Sequence, residues 1–365
     1  MAEKKAETPK KQAEVPRMKA RKTEYPFTAI VGQDVLKRAL ILNVVNPKVG
    51  GVLIRGEKGT GKSIAVRALA DILPSIDIVD GCKYNCDPTK PEKFCSDCKA
   101  LQEKGEVKAV KSPTKIVNLP LNITEDRLVG SIDIERILNE GTRSFEPGLL
   151  AEAHRGILYV DEINLLEDNI VDVLLDAAAM GMVTIEREGI SLNYPSDFII
   201  IGSMNPEEGE LRPQLLDRLA LQAEVTGLQD VDQRVEIMKA SREFSLDPVV
   251  FRDQHRDALR KLRDEIVRAR DLLPKVATPD PVLAIITKIG IDFNIDGHRG
   301  DIIIERTART NAAFEGRKET TADDVILAAE MALPHRMRKQ PFEEESFSAE
   351  MLRRLVRKYE TDGIR

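Results

Sequence analysis

An α/β fold, with a mostly parallel central sheet flanked by helices and a helical domain after it, is predicted by three observations. Short apolar runs bounded by glycine or acids recur along the first 205 residues: "GGVLIRG", "TKIVNLP", "GILYVDE" and "DFIIIGSMN". Continuous apolar runs mark strands buried on both faces, as parallel strands between two helix layers are. Between them lie segments with helical apolar spacing, among them "DVLKRALILNVV" and "NIVDVLLDAAAMG". After about Leu228 the texture changes to charged, helical sequence with no clear strand, so a domain boundary is expected between Thr226 and Val231. A chain of 365 residues has room for one large domain and a smaller one.

Taken in order, residues 1 to about 23 are rich in Lys, Glu and Ala and carry Pro9 and Pro16, which predicts a disordered tail. Its eight Lys and Arg read as solvated charge. "DVLKRALILNVV" predicts a helix, "GGVLIRG" a buried strand and "KSIAVRALADIL" the next helix. The polar segment 81–105 holds two prolines and all four cysteines and reads as an insertion. Two further strands and a helix follow. "MVTIEREGISLNYP" alternates about Glu188-Gly189, a hairpin signal over 182–195.

Composition excludes several function classes. The net charge of -6 and the absence of Trp argue against a non-specific nucleic-acid grip and against base-stacking platforms. No apolar run is long enough for a membrane-spanning helix, and the first residues lack the apolar core of a secretory signal, so a cytoplasmic protein is expected.

The chemistry is concentrated at three strand ends. "GEKGTGKS", Gly56 to Ser63, fits G-x-x-x-x-G-K-[ST], with a strand before it and a helix after it. Gly56, Gly59 and Gly61 let the backbone bend close to phosphate, and the loop N–H groups with the helix N-terminus offer positive charge to the anion. Lys62 is expected at the β- and γ-phosphates and Ser63 at a Mg²⁺ ion. Glu57, Lys58, Thr60 and the following Ile64 complete the expected nucleotide contacts. "ILYVDE" supplies the metal-side acids: Asp161 for the Mg²⁺ shell and Glu162 to polarise the attacking water. "FIIIGSMNP" ends in Asn205, placed to orient that water.

This set resembles AAA+ ATPases, which makes the expected fold an AAA+ P-loop core with a C-terminal α-helical lid domain. "YPFTAIVGQ" (25–33), "FEPGLLAEAHRGILYVDEINLL" (145–166), "LRPQLLDRLAL" (211–221) and "GHRGDIIIERTARTNAA" (297–313) are similar to the small ATPase subunits of magnesium chelatases. The resemblance implies a nucleotide-binding domain over 24–228, a lid over 229–345 and a final helix over 346–365. It implies that Arg218 in "LLDR" is an arginine finger projecting into a neighbouring subunit's site, with Asp217 at the contact. Arg299 in "GHRGD" corresponds to the second sensor, Arg212 is a weaker interface candidate, and Val31 to Gln33 lie near the adenine. The 182–195 hairpin resembles the pre-sensor hairpin of this branch, and "LVGSIDIERILNEGTRSFEPGLL" its further insertion.

The cysteines follow the pattern Cys82-x3-Cys86-x8-Cys95-x2-Cys98. Thiolates at this spacing in a short loop suit a tetrahedral structural metal, with zinc the first choice and an iron–sulfur cluster the second; free or redox-paired thiols are the competing reading. An all-thiolate site is soft and unsuited to Mg²⁺, so the inserted metal is not expected there. His154, His255, His298 and His335 are scattered, and His154 and His298 read as structural or exposed.

The resemblance implies a ring-forming motor, six subunits by family, that hydrolyses ATP with Mg²⁺ to drive metal insertion into a tetrapyrrole, magnesium into protoporphyrin IX first of all. Its implied partners are an ATPase-like adaptor subunit with a von Willebrand A domain and a large tetrapyrrole-binding subunit, with no membrane or nucleic acid. A cobalt chelatase motor and a MoxR-like chaperone share these residues and stand as alternatives.

Overall fold

The computed structural model describes residues 23–132, 145–187, 190–295, 297–337 and 347–362. The expected tail (1–22), most of the further insertion (133–144), the Glu188-Gly189 turn and both ends of the final helix lie outside the described residues.

The strands are β1 (Val52–Gly56), β2 (Ile76–Val79), β3 (Ala109–Ser112), β4 (Ile116–Leu119), β5 (Gly130–Ile132), β6 (Phe145–Pro147), β7 (Ile157–Val160), β8 (Met182–Arg187), β9 (Ile190–Pro195), β10 (Ile199–Met204) and β11 (Leu221–Val225). Five of them form the central sheet in the order β11-β1-β10-β7-β4. Each neighbouring pair in it is parallel. The apolar runs explain why. Successive side chains on a strand point to opposite faces, and here both faces are covered. Val52 and Ile54, Ile157 and Tyr159, Ile199 and Ile201 enter one apolar cluster, with the helix Asp34–Val45 and the later helices. Leu53, Leu158, Val160 and Ile200 enter the other, with the helix Asp168–Met180.

Parallel order brings the carboxyl ends of β1, β7 and β10 to one edge of the sheet. In an open α/β sheet that edge is where ligands bind. β11 was not among the sequence-predicted strands, because "LQAEV" is short and half polar. It pairs with β1 from Val52↔Leu221 to Gly56↔Val225.

Two departures from the expected elements have local causes. The helix after the glycine loop is Lys62–Ala68 and tightens into a 3-10 turn, Leu69–Asp71, before Pro74. Buried Asp71 takes an ion pair from Arg252, and its carbonyl accepts from Arg263. The cysteine segment is not a bare loop without a core. An antiparallel β2–β3 pair frames it, the helix Ser96–Glu103 crosses it, and Tyr84, Phe94, Cys86, Cys95 and Cys98 are buried in the second apolar cluster.

Beyond β11 the described chain is helical, through Val231–Leu246, Pro248–Gln254, Arg256–Leu272, Asp280–Asp292, Arg299–Phe314, Ala322–Ala332 and Ala349–Asp362. The starts are capped as the sequence dictates. Asp230 accepts from the Gln233 N–H, Asp247 from Val249 and Val250, and Thr321 with Asp324 forms a capping box. Three arginines tie these helices to carbonyls at the amino-terminal edge of the sheet. Arg270 donates to Val44 O (2.6 Å), Arg306 to Lys48 O (3.2 Å), and Arg336 to Leu219 O (3.0 Å) and Ala220 O (2.7 Å). Among the described residues no helix is long and apolar enough to cross a membrane.

Candidate active site

The phosphate loop leaves β1 at Gly56 and enters the helix at Lys62. Gly59 and Gly61 take φ of +81° and +84°, where an L side chain is strained, which is why the loop needs glycine there. Lys62 Nζ arches back to the Glu57 carbonyl at 2.8 Å and to that of Gly56. Burial lowers the Lys62 pKa, while Asp161 pulls in the opposite direction. Lys58 pairs with Glu208 at 2.5 Å and stands 4.0 Å from Glu162.

At the carboxyl end of β7, Asp161 lies under three hydroxyls. Ser63 Oγ donates to its Oδ2 at 3.2 Å, the Tyr159 hydroxyl lies 2.9 Å from its Oδ1, and Ser203 Oγ also bonds Oδ1. Burial works against ionisation of this carboxyl. The Ser203, Tyr159 and Ser63 hydroxyls, in that order, and the field of Lys62 outweigh it and hold Asp161 below the ordinary aspartate range. Glu162 sits in the left-handed region at φ +55°, uncommon for a non-glycine residue and typical of functional turns, and its N–H donates to Ser203 Oγ at 3.2 Å. Asn205 is buried at the end of β10, where its side chain accepts from Glu207 N–H at 3.3 Å.

These groups share one cleft of about 310 Å³, lined from Lys58 to Ile64 along the loop, by Asp161 and Glu162, and by Ser203 to Asn205. The predicted loop, acid pair and amide are thus brought together. Two of the residues that shape the cleft's chemistry, Tyr159 and Ser203, were missed by sequence reasoning. Each lies two positions before a recognised residue, Asp161 or Asn205, on a strand of period two, so each shares its face. A hydroxyl in an otherwise apolar run was the signal.

The cleft's floor offers Ser63 and Asp161 oxygens 3.2 Å apart, a hard donor pair suited to Mg²⁺. The four cysteines form a separate cluster. Their sulfurs all lie within 4.8 Å of one another, with Cys82 and Cys95 at 3.9 Å and each thiol free of a disulfide. Hydrogen bonds from the Cys86 and Cys95 thiols hold Cys82 below the usual thiol range, and burial pushes Cys98 up.

The model of "Magnesium chelatase, subunit ChlI" matches residues 131–214, and that of the AAA lid domain matches 283–355. The chain is 54% identical to a magnesium-chelatase subunit ChlI homolog of Methanocaldococcus jannaschii, covering 92% of this chain and 91% of that one. It is 49% identical to the ChlI subunit of Synechocystis, covering 89% and 91%. The chain belongs to the magnesium-chelatase ChlI family. Its fold matches one chain of the complex between subunits BchI and BchD of magnesium chelatase, built on a single-particle cryo-EM reconstruction, with a TM-score of 0.51, at 45% identity over 87% of this chain and 98% of that one. A putative ATPase of Cytophaga hutchinsonii, 18% identical, shares the fold with a TM-score of 0.58 over 90% of each chain.

For a ChlI-family chain the placement of the arginines is informative. Arg218 ends the helix Pro213–Arg218, separated from the start of β11 by Leu219 and Ala220. It therefore lies at the amino-terminal edge of the sheet, opposite its own phosphate loop. Arg299 begins the helix Arg299–Phe314 and lies within the field of Arg218; burial and then that neighbouring cation lower its pKa, with Asp217 opposing. Neither lines the cleft. Arg212 pairs with Asp168 within the chain. Val31 to Gln33 sit beside the carboxyl end of β11, where Gln33 Nε2 donates to Thr226 O at 3.1 Å, adjacent to the cleft rather than in its lining. His154 is structural: it is buried, and its Nδ1 accepts from the Asp197 N–H at 2.9 Å.

Proposed function

We propose that this chain is the ATP-hydrolysing motor subunit of a magnesium-chelatase-type enzyme that inserts a metal, magnesium first of all, into a tetrapyrrole. The observation that carries the ATPase reading is the meeting of Lys62, Ser63, Asp161, Glu162 and Asn205 in one cleft. The relatives' names supply the chelatase. The loop N–H groups and Lys62 cradle the phosphates. Ser63 and Asp161 hold Mg²⁺, which when bound offsets charge on the β- and γ-phosphates. Glu162 polarises the attacking water, and Asn205 orients it. Val31 to Gln33 flank the adenine.

Phosphoryl transfer also needs a cation on the developing γ-phosphate charge. Arg218 and Arg299 stand outside the lining of the chain's own cleft, which leaves them available to a neighbour's. That supports a ring, six-membered in the family expectation, with Arg218 as finger and Arg299 beside it. An ATPase-like adaptor of the BchD type and a large tetrapyrrole-binding subunit are the partners this reading requires. It takes 24–228 as the nucleotide-binding domain and 229–345 as the lid, supported by the change from sheet to helices after β11. Free thiols suit a cytoplasmic setting.

The test is a pull-down from native lysate with ATP, using Glu162→Gln as a trap. Recovery of the adaptor with a large tetrapyrrole-binding subunit supports chelation, and the bound pigment identifies the metal. Recovery of a lone adaptor or an unrelated metalloenzyme overturns chelation in favour of a chaperone.

A further inference from the structure

The cysteine cluster plays no part in the ATPase reading, yet it is built with more care than four stray thiols require. Cys82 and Cys86 bracket the turn that leaves β2, Cys95 precedes the helix Ser96–Glu103, and Cys98 lies in its first turn. Backbone N–H groups aim at the sulfurs: Tyr84 and Cys86 donate to Cys82 Sγ at 3.3 and 3.5 Å, and Cys95 donates to Cys86 Sγ at 3.3 Å. Such donors stabilise thiolate charge, as outer partners of metal-bound ligands do.

The spacing discriminates between occupants. Zinc–sulfur bonds of about 2.3 Å in a tetrahedron put the sulfurs about 3.8 Å apart. Cys82 and Cys95 stand at 3.9 Å, and all four fall within 4.8 Å. A disulfide demands about 2 Å and joins only two of them. An iron–sulfur cluster spreads its thiolates over several irons and needs a wider cage.

The turn between the first two ligands touches two places that matter elsewhere. Tyr84 stacks on Tyr194 of β9, with centroids 5.1 Å apart and planes at 26°, and the Tyr194 hydroxyl donates to Val129 O at 2.6 Å. Arg155, at φ +60° two residues before β7, donates to Asp77 O (2.6 Å) and Asn85 O (3.3 Å) and pairs with Asp87 (3.2 Å). β7 carries Asp161 at its far end, and β9 is one strand of the hairpin.

We propose that Cys82, Cys86, Cys95 and Cys98 together hold one tetrahedral zinc ion, and that the ion's role is positional, fixing the turn Tyr84–Asp87 against Arg155 and Tyr194. Zinc does no chemistry on ATP; it sets where the acid-bearing strand begins and where the hairpin ends.

Elemental analysis of the full-length protein, purified without added metal, is expected to give about one zinc per chain. Cobalt exchanged into the site should show the visible bands of a tetrahedral tetrathiolate. Cys95→Ser with Cys98→Ser should lose the ion. Because that variant is at risk of misfolding, hydrogen exchange is also measured on wild type before and after zinc is stripped by a thiol reagent and chelator. Amides of 84–87, 155–157 and 194 are then expected to exchange roughly tenfold faster or more, with those of the lid helices unchanged. Sub-stoichiometric zinc with four freely titrating thiols in native protein, or bound iron, overturns the site. Stoichiometric zinc whose removal leaves those amides unchanged overturns the positional role.

Discussion

Ser63 and Asp161 are 98 residues apart in the chain and meet at 3.2 Å on the floor of the cleft. Ser63 also lies 3.1 Å from the hydroxyl of Tyr159, which in turn reaches Asp161. The carboxylate is thus tuned by hydroxyls on β7, β10 and the helix after the phosphate loop. Removing one tests the tuning. Asp161 sits below its ordinary pKa, so the stability it contributes is present above the usual aspartate range and is lost as pH falls through its folded value. Ser203→Ala removes the largest of the opposing donors, so the folded pKa should rise. The acid limb of the ATPase pH–rate profile should move to higher pH, and Mg²⁺ affinity should fall. An unmoved limb would dissociate Ser203 from Asp161.

Arg218→Ala should cost roughly a thousandfold or more in pure form, the scale of a missing finger. Its diagnostic is mixing. Titrated into wild type, it should lower activity more steeply than dilution does, because each variant subunit disables a neighbour's site. A loss linear in the fraction of variant would remove the role in trans.

Asp324 is 1% exposed and is held by Arg317 at 2.5 and 2.6 Å, by Asn311 at 2.7 Å and by the capping box at Thr321. Asp324→Ala leaves the buried Asn311 amide and the partly exposed Arg317 guanidinium without their acceptor and uncaps a helix. It should destabilise the helical region by about 3 kcal/mol, read from chemical denaturation. A change within about half a kcal/mol would mean that the pair is solvent-relaxed.

His335 is buried, bonds Leu219 O through Nε2 at 2.9 Å and leaves Nδ1 without a partner. Burial, with the Arg336 charge beside it, pushes its pKa from 6.5 down to about 3. A depressed histidine means that the unfolded chain binds the extra proton first. Stability due to His335 is therefore full above pH 6.5 and is lost between 6.5 and about 3. His335→Gln, which keeps a donor and cannot titrate, should flatten the acid side of the stability profile in that window. Identical profiles would exclude the histidine as a source of acid sensitivity.

The phosphate loop, Asp161, Glu162 and Asn205 were legible because local sequence specifies them: each sits at the end of an apolar run whose length sets where the strand stops. β11 was not, because Gln222 and Glu224 interrupt its apolar residues and it becomes a strand only by pairing with β1. Tyr159 and Ser203 acquire meaning only when three parallel strands align their ends, a relation no local window contains. The cysteine pattern announced a common site, but not the Tyr84–Tyr194 stack or the Arg155 clamp. Those depend on a turn folding back against residues about 70 to 110 positions away.

One consequence follows from the arginines lying at the sheet edge opposite the phosphate loop. With Arg218 serving a neighbour's cleft, a single copy carries two incomplete halves of a hydrolytic site at separate places on its surface. Its turnover per mole then becomes a function of its own concentration: at high dilution the rate falls with the square of the protein rather than in proportion to it, and a kinetic constant measured at one enzyme concentration describes the assembly rather than the chain.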